Sequence, residues 1–439
     1  MMLSFRKDKK PKEYIISINE NLQIVASDSK SDKDKKKAVD TIAANLNSIK
    51  EMLVDKSDTR LTGKDKDADL TTSERERINE IIQEIALEIL KENGLPMWIE
   101  NLDALGFESS KQIVELCGHV FRKQIGNFNS ATQFILTKQS ILLTLLDGYK
   151  KPDRAIHYGS ILREAIKHEE VAKVLLYSPK FYDLFDYVQG TAFDVSSDAF
   201  STFRDLLGRH KEMVAEFLVA NYDPFFSHYR TLIESNNYVT VRQALKLLAE
   251  LLLDRHNFQI QKTYISEAEN LKLIMNLLVS KKKQIAFEAF HVFKSFLANM
   301  NKPDDIQAIL YSNRSQLIEF LGSFQTDRTD DGQLNSEKMY LIKIAKELQA
   351  PVAKSKEGMV NQPPVFPPPS YILHGPMPHP NHSVRGMSQP FVLLNEHLRY
   401  FQSQYTQLLI QNQHKTHTDV DLLYPMCTFP PSLILLMMA

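Results

Sequence analysis

One arrangement of apolar positions returns five times along the 439-residue chain. It can be anchored on Phe121, Leu162, Phe203, Leu248 and Phe293, at spacings of 41, 41, 45 and 45 residues. Four positions after each anchor stands an aliphatic residue: Ile125, Ile166, Leu207, Leu252 and Leu297. Four positions before it stands a mostly small or medium one: Cys117, Tyr158, Ala199, Ala244 and Ala289. Positions i−4, i and i+4 share one helical face, so each block predicts a helix with a buried stripe. A helical period of 40–47 residues is the mark of armadillo- and HEAT-type repeats. Such units cannot bury their apolar faces alone, so they stack into a curved, right-handed superhelix with a long concave surface. The expected fold is therefore an all-α, armadillo/HEAT-like solenoid, an architecture that usually serves binding.

Between the anchors the polar and apolar positions predict shorter helices, often three per repeat. One runs from Val241 to Asp254, another around Gln259–Ser266 and a third from Asn270 to Val279. Nearer the start, Ile78, Ile81, Ile82, Ile85 and Ile89 have helical spacing behind a capping box of Ser73 and Glu76. Gly94 reads as the stop of that helix. Residues 55–72 are a charged, weakly apolar stretch that predicts a flexible linker, residues 1–11 a basic arm, and the repeats a domain over 12–349. From 350 onward the pattern changes. Residues 350–439 hold 13 of the 19 prolines and 6 of the 13 histidines, which predicts a disordered tail with polyproline II segments and a short helix around Asn395–Gln411.

Composition narrows the function classes. With 53 basic and 54 acidic residues the formal net charge is −1, which gives no footprint for nucleic acid. Two cysteines, Cys117 and Cys427, make no disulfide framework and fit a reducing, cytoplasmic setting, with Cys117 as a buried small hydrophobe. No apolar run reaches the ~20 residues that cross a bilayer, and Met1–Lys10 has no apolar core of a signal peptide. The string Asp65 to Glu76 places oxygens as an EF-hand loop would, but Leu70 stands where the sharp turn needs glycine, so no calcium is expected. No phosphate-cradling glycine loop, nucleophile elbow or metal-ligand spacing is visible, so neither catalytic residue nor cofactor is expected.

Three groups of residues suit binding. Tyr238, Arg242, Arg255, His256 and Phe258, with Phe193 one repeat earlier, combine arginine with aromatics as interface hot spots do; the competing reading makes Phe258 a core staple and the arginines solvated. Leu271, Ile274, Met275 and Leu278, with Lys272 beside them, form a core stripe or the floor of an adaptable groove. In the tail, Pro368-Pro369-Ser370-Tyr371 has the form that WW domains read.

Longer strings carry a resemblance. They are Phe193-Asp-Val-Ser-Ser-Asp-Ala-Phe-Ser-Thr-Phe-Arg-Asp-Leu-Leu207, Asn237-Tyr-Val-Thr-Val-Arg-Gln243, Leu251-Leu-Leu-Asp-Arg-His-Asn-Phe258 and Glu269-Asn-Leu-Lys-Leu-Ile-Met275. Phe287-Glu-Ala-Phe-His-Val-Phe-Lys294, Leu317-Ile-Glu-Phe320 and Asp327-Arg-Thr329 complete them. Over residues 1 to about 349 the chain resembles the calcium-binding protein 39 (Mo25) family of armadillo-like kinase scaffolds.

The resemblance implies a non-catalytic scaffold that binds a STRAD-type pseudokinase, holds it closed, and with it activates a liver kinase B-type kinase. It also implies binding of sterile-twenty-type (germinal-centre) kinases and a role in cell polarity signalling. By family position, Phe193, Tyr238, Arg242, Arg255 and Phe258 lie on the concave face. Met275 and Lys272 fall at a pocket for a Trp-Glu-Phe peptide, and Ser312 replaces a lysine that the family places near it. The alternative is an armadillo-type adaptor without a kinase-activating role.

Overall fold

The computed structural model describes residues 10–53, 72–91, 94–122, 130–328 and 330–351. Among these there are twenty α-helices and no strand. A leading pair, α1 (Pro11–Ala26) and α2 (Asp32–Leu53), packs side by side. Eighteen more then follow in threes. These are α3 (Thr72–Leu90), α4 (Gly94–Glu100) and α5 (Phe107–Arg122); α6 (Ser130–Thr137), α7 (Ser140–Asp147) and α8 (Ala155–Ala165); α9 (Glu169–Leu176), α10 (Asp183–Tyr187) and α11 (Phe193–Gly208). Next come α12 (Lys211–Ala220), α13 (Tyr222–Ile233) and α14 (Tyr238–Leu253); α15 (Phe258–Tyr264), α16 (Ala268–Leu278) and α17 (Lys283–Ala298); α18 (Asp304–Ser312), α19 (Arg314–Ser323) and α20 (Gly332–Glu347). The third helix of each of the middle repeats carries the repeated stripe.

That stripe is the core. All five anchors are fully buried, as are the five residues four positions before them. Ile166, Leu207, Leu252 and Leu297 are at most 2% exposed, while Ile125 lies outside the described residues. Each such large apolar side chain contributes about 1.5–3 kcal/mol when buried. Aromatic rings fill the middle: Phe185 meets Phe203 edge-on at 5.0 Å, and the Tyr229 hydroxyl donates 2.8 Å to the Ala244 carbonyl. Cys117 is among the buried residues, and burial pushes its thiol up to about 12, so it stays protonated and inert.

Polar contacts stitch successive long helices together at about one repeat's separation. Arg122 of α5 reaches Glu164 of α8 at 3.1 Å. Arg163 of α8 grips both carboxylate oxygens of Asp198 on α11 at 2.7 Å each. Arg242 of α14 lies 3.4 Å from Glu288 of α17, and Lys294 of α17 lies 2.7 Å from Glu337 of α20. Tyr149 adds to the Asp198 junction, 2.8 Å from its carboxylate and 2.6 Å from the Thr202 hydroxyl.

Up to Leu297 and again from Pro303 the described residues form one compact unit; Ala298–Lys302 belongs to a second. In that link Asn301 N–H donates to the Asn299 side chain at 3.0 Å.

One boundary differs from the sequence reading. Gly94 does not stop a helix but opens α4. A side chain there would collide with the Ile89 carbonyl at the end of α3, so close approach, not a cap, requires the glycine. The helix expected from Ser73 begins at Thr72. The basic arm apart from Lys10 and Pro11, nearly all of the charged linker, and the tail from 352 with Pro368, Pro369 and Tyr371 lie outside the described residues.

Candidate functional site

The central candidate is α14. Its leucines and alanines favour helix and give it a buried stripe, and its start is fixed by Asn237. The Asn237 side chain accepts from Val239 N–H at 2.9 Å and from Thr240 N–H at 3.4 Å, satisfying two of the donors every helix start leaves free. The helix ends at Asp254, which turns to extended backbone (φ −73°, ψ 129°) before a 3-10 turn over Arg255–Asn257.

The six sequence candidates around it fall into two groups. Tyr238 is the first residue of α14 and Arg242 lies one turn on, while Phe193 is the first residue of α11. Phe193 is 64% exposed and Tyr238 36%. Arg255, His256 and Phe258 lie beyond the other end of α14, about 24 Å away along a 16-residue helix. No single small ligand bridges that distance. A partner touching both groups must lie along the helix.

The far group is held by a polar knot. Asp254 takes Lys211 Nζ of α12 at 2.7 Å, His256 Nδ1 at 2.7 Å and His256 N–H at 3.0 Å. Burial would raise the Asp254 carboxyl, but these donors outweigh it and hold it below the usual carboxylate range. Buried Asn257 donates 3.0 Å to the Leu251 carbonyl. So fastened, the turn presents Arg255 to solvent and leaves Phe258 half-buried, outside the contiguous core. Of the two readings of Phe258, the core staple is the one the structure does not favour.

Arg242 is exposed on one side and reaches Glu288 on the other. Glu288 is buried; desolvation raises its carboxyl above the usual range despite the Arg242 charge. The folded state therefore binds that proton more readily than the unfolded chain, so ionised Glu288 costs stability above the unfolded carboxylate pKa of about 4.3. That cost fades as pH falls through the raised value. Glu288→Gln is accordingly expected to keep stability within about 1 kcal/mol of the parent, or above it, at pH 7. Any advantage should shrink toward pH 4, read by urea unfolding at a series of pH values. A larger loss at pH 7 would mean that the Arg242 pair is net stabilising.

The second group behaves as a core stripe. Leu271, Ile274, Met275 and Leu278 of α16 are all at most 1% exposed. Lys272 stands one turn before Met275 and pairs with Glu269 at 2.9 Å, and Ser312 ends α18 as an exposed residue. Shortening Met275 would open a cavity in the core and cost about 2–5 kcal/mol.

Two residues escaped the sequence reading. Phe107 is the first residue of α5 and 65% exposed; Ile156 is the second of α8 and 48% exposed. With Phe193 and Tyr238 they give four consecutive long helices, α5, α8, α11 and α14, each with a large exposed apolar side chain at its first turn. Aligning helix starts rather than buried anchors would have shown the row. Spacing alone could not, because the intervals between these residues are uneven.

A family model described as Mo25-like matches residues 3–349. This chain belongs to the Mo25-like family. Calcium-binding protein 39-like of Homo sapiens is 43% identical over 349 residues, 80% of this chain and 98% of that protein. MO25-like protein 2 of Caenorhabditis elegans is 47% identical over 271 residues, 62% of this chain and 80% of that protein. The Mo25-like protein of Schizosaccharomyces pombe is 41% identical over 277 residues, 63% and 84% respectively. Among solved structures, a designed armadillo repeat protein superposes with a TM-score of 0.36 at 12% identity, covering 64% of this chain and 99% of that chain. The Mo25-like span ends just after α20, the last helix among the described residues. The human relative's name speaks of calcium. Here, among the described residues, no group of three or more His, Cys, Asp or Glu stands where it could hold a metal ion. Of the string from Asp65 to Glu76, residues 65–71 lie outside them and the remainder opens α3. Among the described residues no helix is long and apolar enough to cross a membrane.

Proposed function

We propose that this Mo25-like chain is a non-catalytic cytoplasmic scaffold that binds the closed form of a STRAD-type pseudokinase or a sterile-twenty-type kinase and thereby supports liver kinase B-type signalling. The observation that carries the reading is the row of exposed apolar side chains at the starts of α5, α8, α11 and α14, together with Arg255 and Phe258 at the far end of α14. Neighbouring packed helices stand about 8–10 Å apart, so four first turns span roughly 25–30 Å, the width of a kinase lobe rather than of a peptide. Apolar residues without a covering partner, flanked by arginine, have the make-up of a protein interface. Activation follows from population shift: a surface that fits the closed kinase better than the open one moves the equilibrium by the difference in affinity. The Trp-Glu-Phe pocket at Lys272 and Met275 would then tether the partner's tail and raise its effective concentration.

The test is a titration of the purified chain against a STRAD-type pseudokinase domain, with liver kinase B-type activity as a second readout. Binding and a rise in activity are expected. Phe107→Glu should weaken binding about tenfold without loss of helix content, because the ring is mostly exposed, meets the His157 ring edge-on at 5.2 Å and stands outside the core. No binding by the parent chain would sink the reading. Full binding by Phe107→Glu would confine the interface to α8, α11 and α14.

A further inference from the structure

A second surface lies beside the row, on the other flank of Tyr238. Between the turn that joins α13 to α14 and the turn that joins α16 to α17 is a cleft of about 340 Å³. Its floor is apolar: Val241 of α14, Leu273 and Leu277 of α16, and Ile285 of α17. Tyr238 forms one wall. Leu273 and Leu277 are each two residues from Met275, about 200° around α16, so this cleft opens on the opposite side of the helix from the Met275 stripe. The rim is basic. Lys281 and Lys282 are exposed, and among the described residues no carboxylate pairs with either. Lys282 instead holds its ammonium 5.4 Å over the Tyr238 ring. The acidic residue on the facing rim, Glu234, is already engaged by Arg230 at 2.9 Å, and Lys283 is taken by Asp327 at 2.8 Å. The cleft therefore combines room for an aliphatic side chain and its neighbour with one uncompensated positive charge, Lys282, in its lining and a second, Lys281, next to it in the chain.

We propose that this cleft docks a short linear segment of a partner protein, an apolar anchor followed directly by carboxylates. The anchor displaces water from Val241, Leu273, Leu277 and Ile285, and the following acidic side chains meet Lys282 and Lys281. Apolar floor and charged rim each supply what the other lacks. The floor gives affinity, and the lysines set direction and reject basic segments. The site goes beyond the kinase-scaffold reading: it shares Tyr238 with the exposed row, but neither Arg255 nor Phe258 lines the cleft, and its test needs no kinase.

The test is fluorescence anisotropy on the full chain with three sets of short labelled peptides. In the first, leucine, isoleucine, methionine or phenylalanine precedes two glutamates; in the second two lysines replace the glutamates; in the third alanine replaces the anchor. At least one member of the first set should bind, and its counterparts in the other two sets should bind at least tenfold more weakly. Raising salt to 0.5 M should weaken the binding, because exposed charges are screened. Lys282→Glu should cost the acidic peptide at least tenfold and favour its basic counterpart. Lys282→Gln should lie between, which separates lost charge from a disturbed Tyr238. The Arg255→Ala, Phe258→Ala double variant should bind the acidic peptide as the parent does, even if kinase activation is lost. Absence of binding across the first set, equal binding of acidic and basic peptides, or an unchanged preference in Lys282→Glu each overturns the proposal.

Discussion

Alanine at both Arg255 and Phe258 is expected to abolish kinase activation while the chain stays folded. Arg255 is exposed on a 3-10 turn, and Phe258 is half-buried at the start of α15, outside the contiguous core. Phe258 is partly buried, so trimming it costs about 1.5–3 kcal/mol and should lower the melting temperature by several degrees without unfolding the chain. The turn itself remains fastened by Lys211, Asp254, His256 and Asn257, so the surface changes without the scaffold moving. Loss of an aromatic and an arginine from one interface can remove several kcal/mol of binding, which suffices to silence a conformational clamp. The check is kinase activity at saturating chain together with circular dichroism. A folded variant that activates fully removes these residues from the mechanism, and an unfolded one returns Phe258 to a structural role.

The largest effect on stability is expected at Gly159. A side chain there would strike the Asp198 carboxylate and the Tyr149 hydroxyl. These atoms form the junction in which Arg163 holds Asp198 with two 2.7 Å bonds and Tyr149 adds a third at 2.8 Å. The Arg163 and Asp198 side chains are only 21% and 12% exposed, so a displaced partner leaves a charge poorly solvated. Breaking such a pair costs about 3–5 kcal/mol. Gly159→Ala should therefore lower the melting temperature by roughly 6–12 °C. Asp198→Ala should do much the same, and the double variant should fall well short of the sum, because both act on one network. Gly159→Ala within 0.5 kcal/mol of the parent in urea unfolding would show that the junction relaxes around the new methyl.

The sequence disclosed the fold well because burial in a repeat protein is periodic. Once Phe121, Leu162, Phe203, Leu248 and Phe293 are aligned, helix, face and repeat length follow together, and every described position of the stripe is buried. Local signals served less well. Gly94 has the residue type of a helix stop, but its role comes from the Ile89 carbonyl five residues earlier, which leaves no room for a side chain. The candidate site was half legible. Arginine beside aromatics marked α14, and the helix predicted over Val241–Asp254 already put Tyr238 and Arg255 at its opposite ends, but sequence could not free Phe258 from the core. Phe107 and Ile156 were invisible because an exposed apolar residue at a first turn looks like any helix start until neighbouring repeats are laid side by side. For Met275 the core stripe was the correct description of its surroundings, and a pocket reading has to work from Lys272 and Ser312 outward.

The row of first-turn side chains also makes the molecule a ruler. Each long helix contributes one mark, at a pitch fixed by how closely helices pack, about 8–10 Å. Repeats of this kind touch only their neighbours, so removing a whole unit such as residues 169–208 need not unravel the rest. It would, however, erase Phe193 and bring Ile156 one division nearer to Tyr238. A partner that reads these marks together would find the remaining ones present in kind and wrong in place. For such a client the number of helices between two contacts is itself a determinant of recognition, and evolution could retune it by whole repeats without substituting any contact residue that remains.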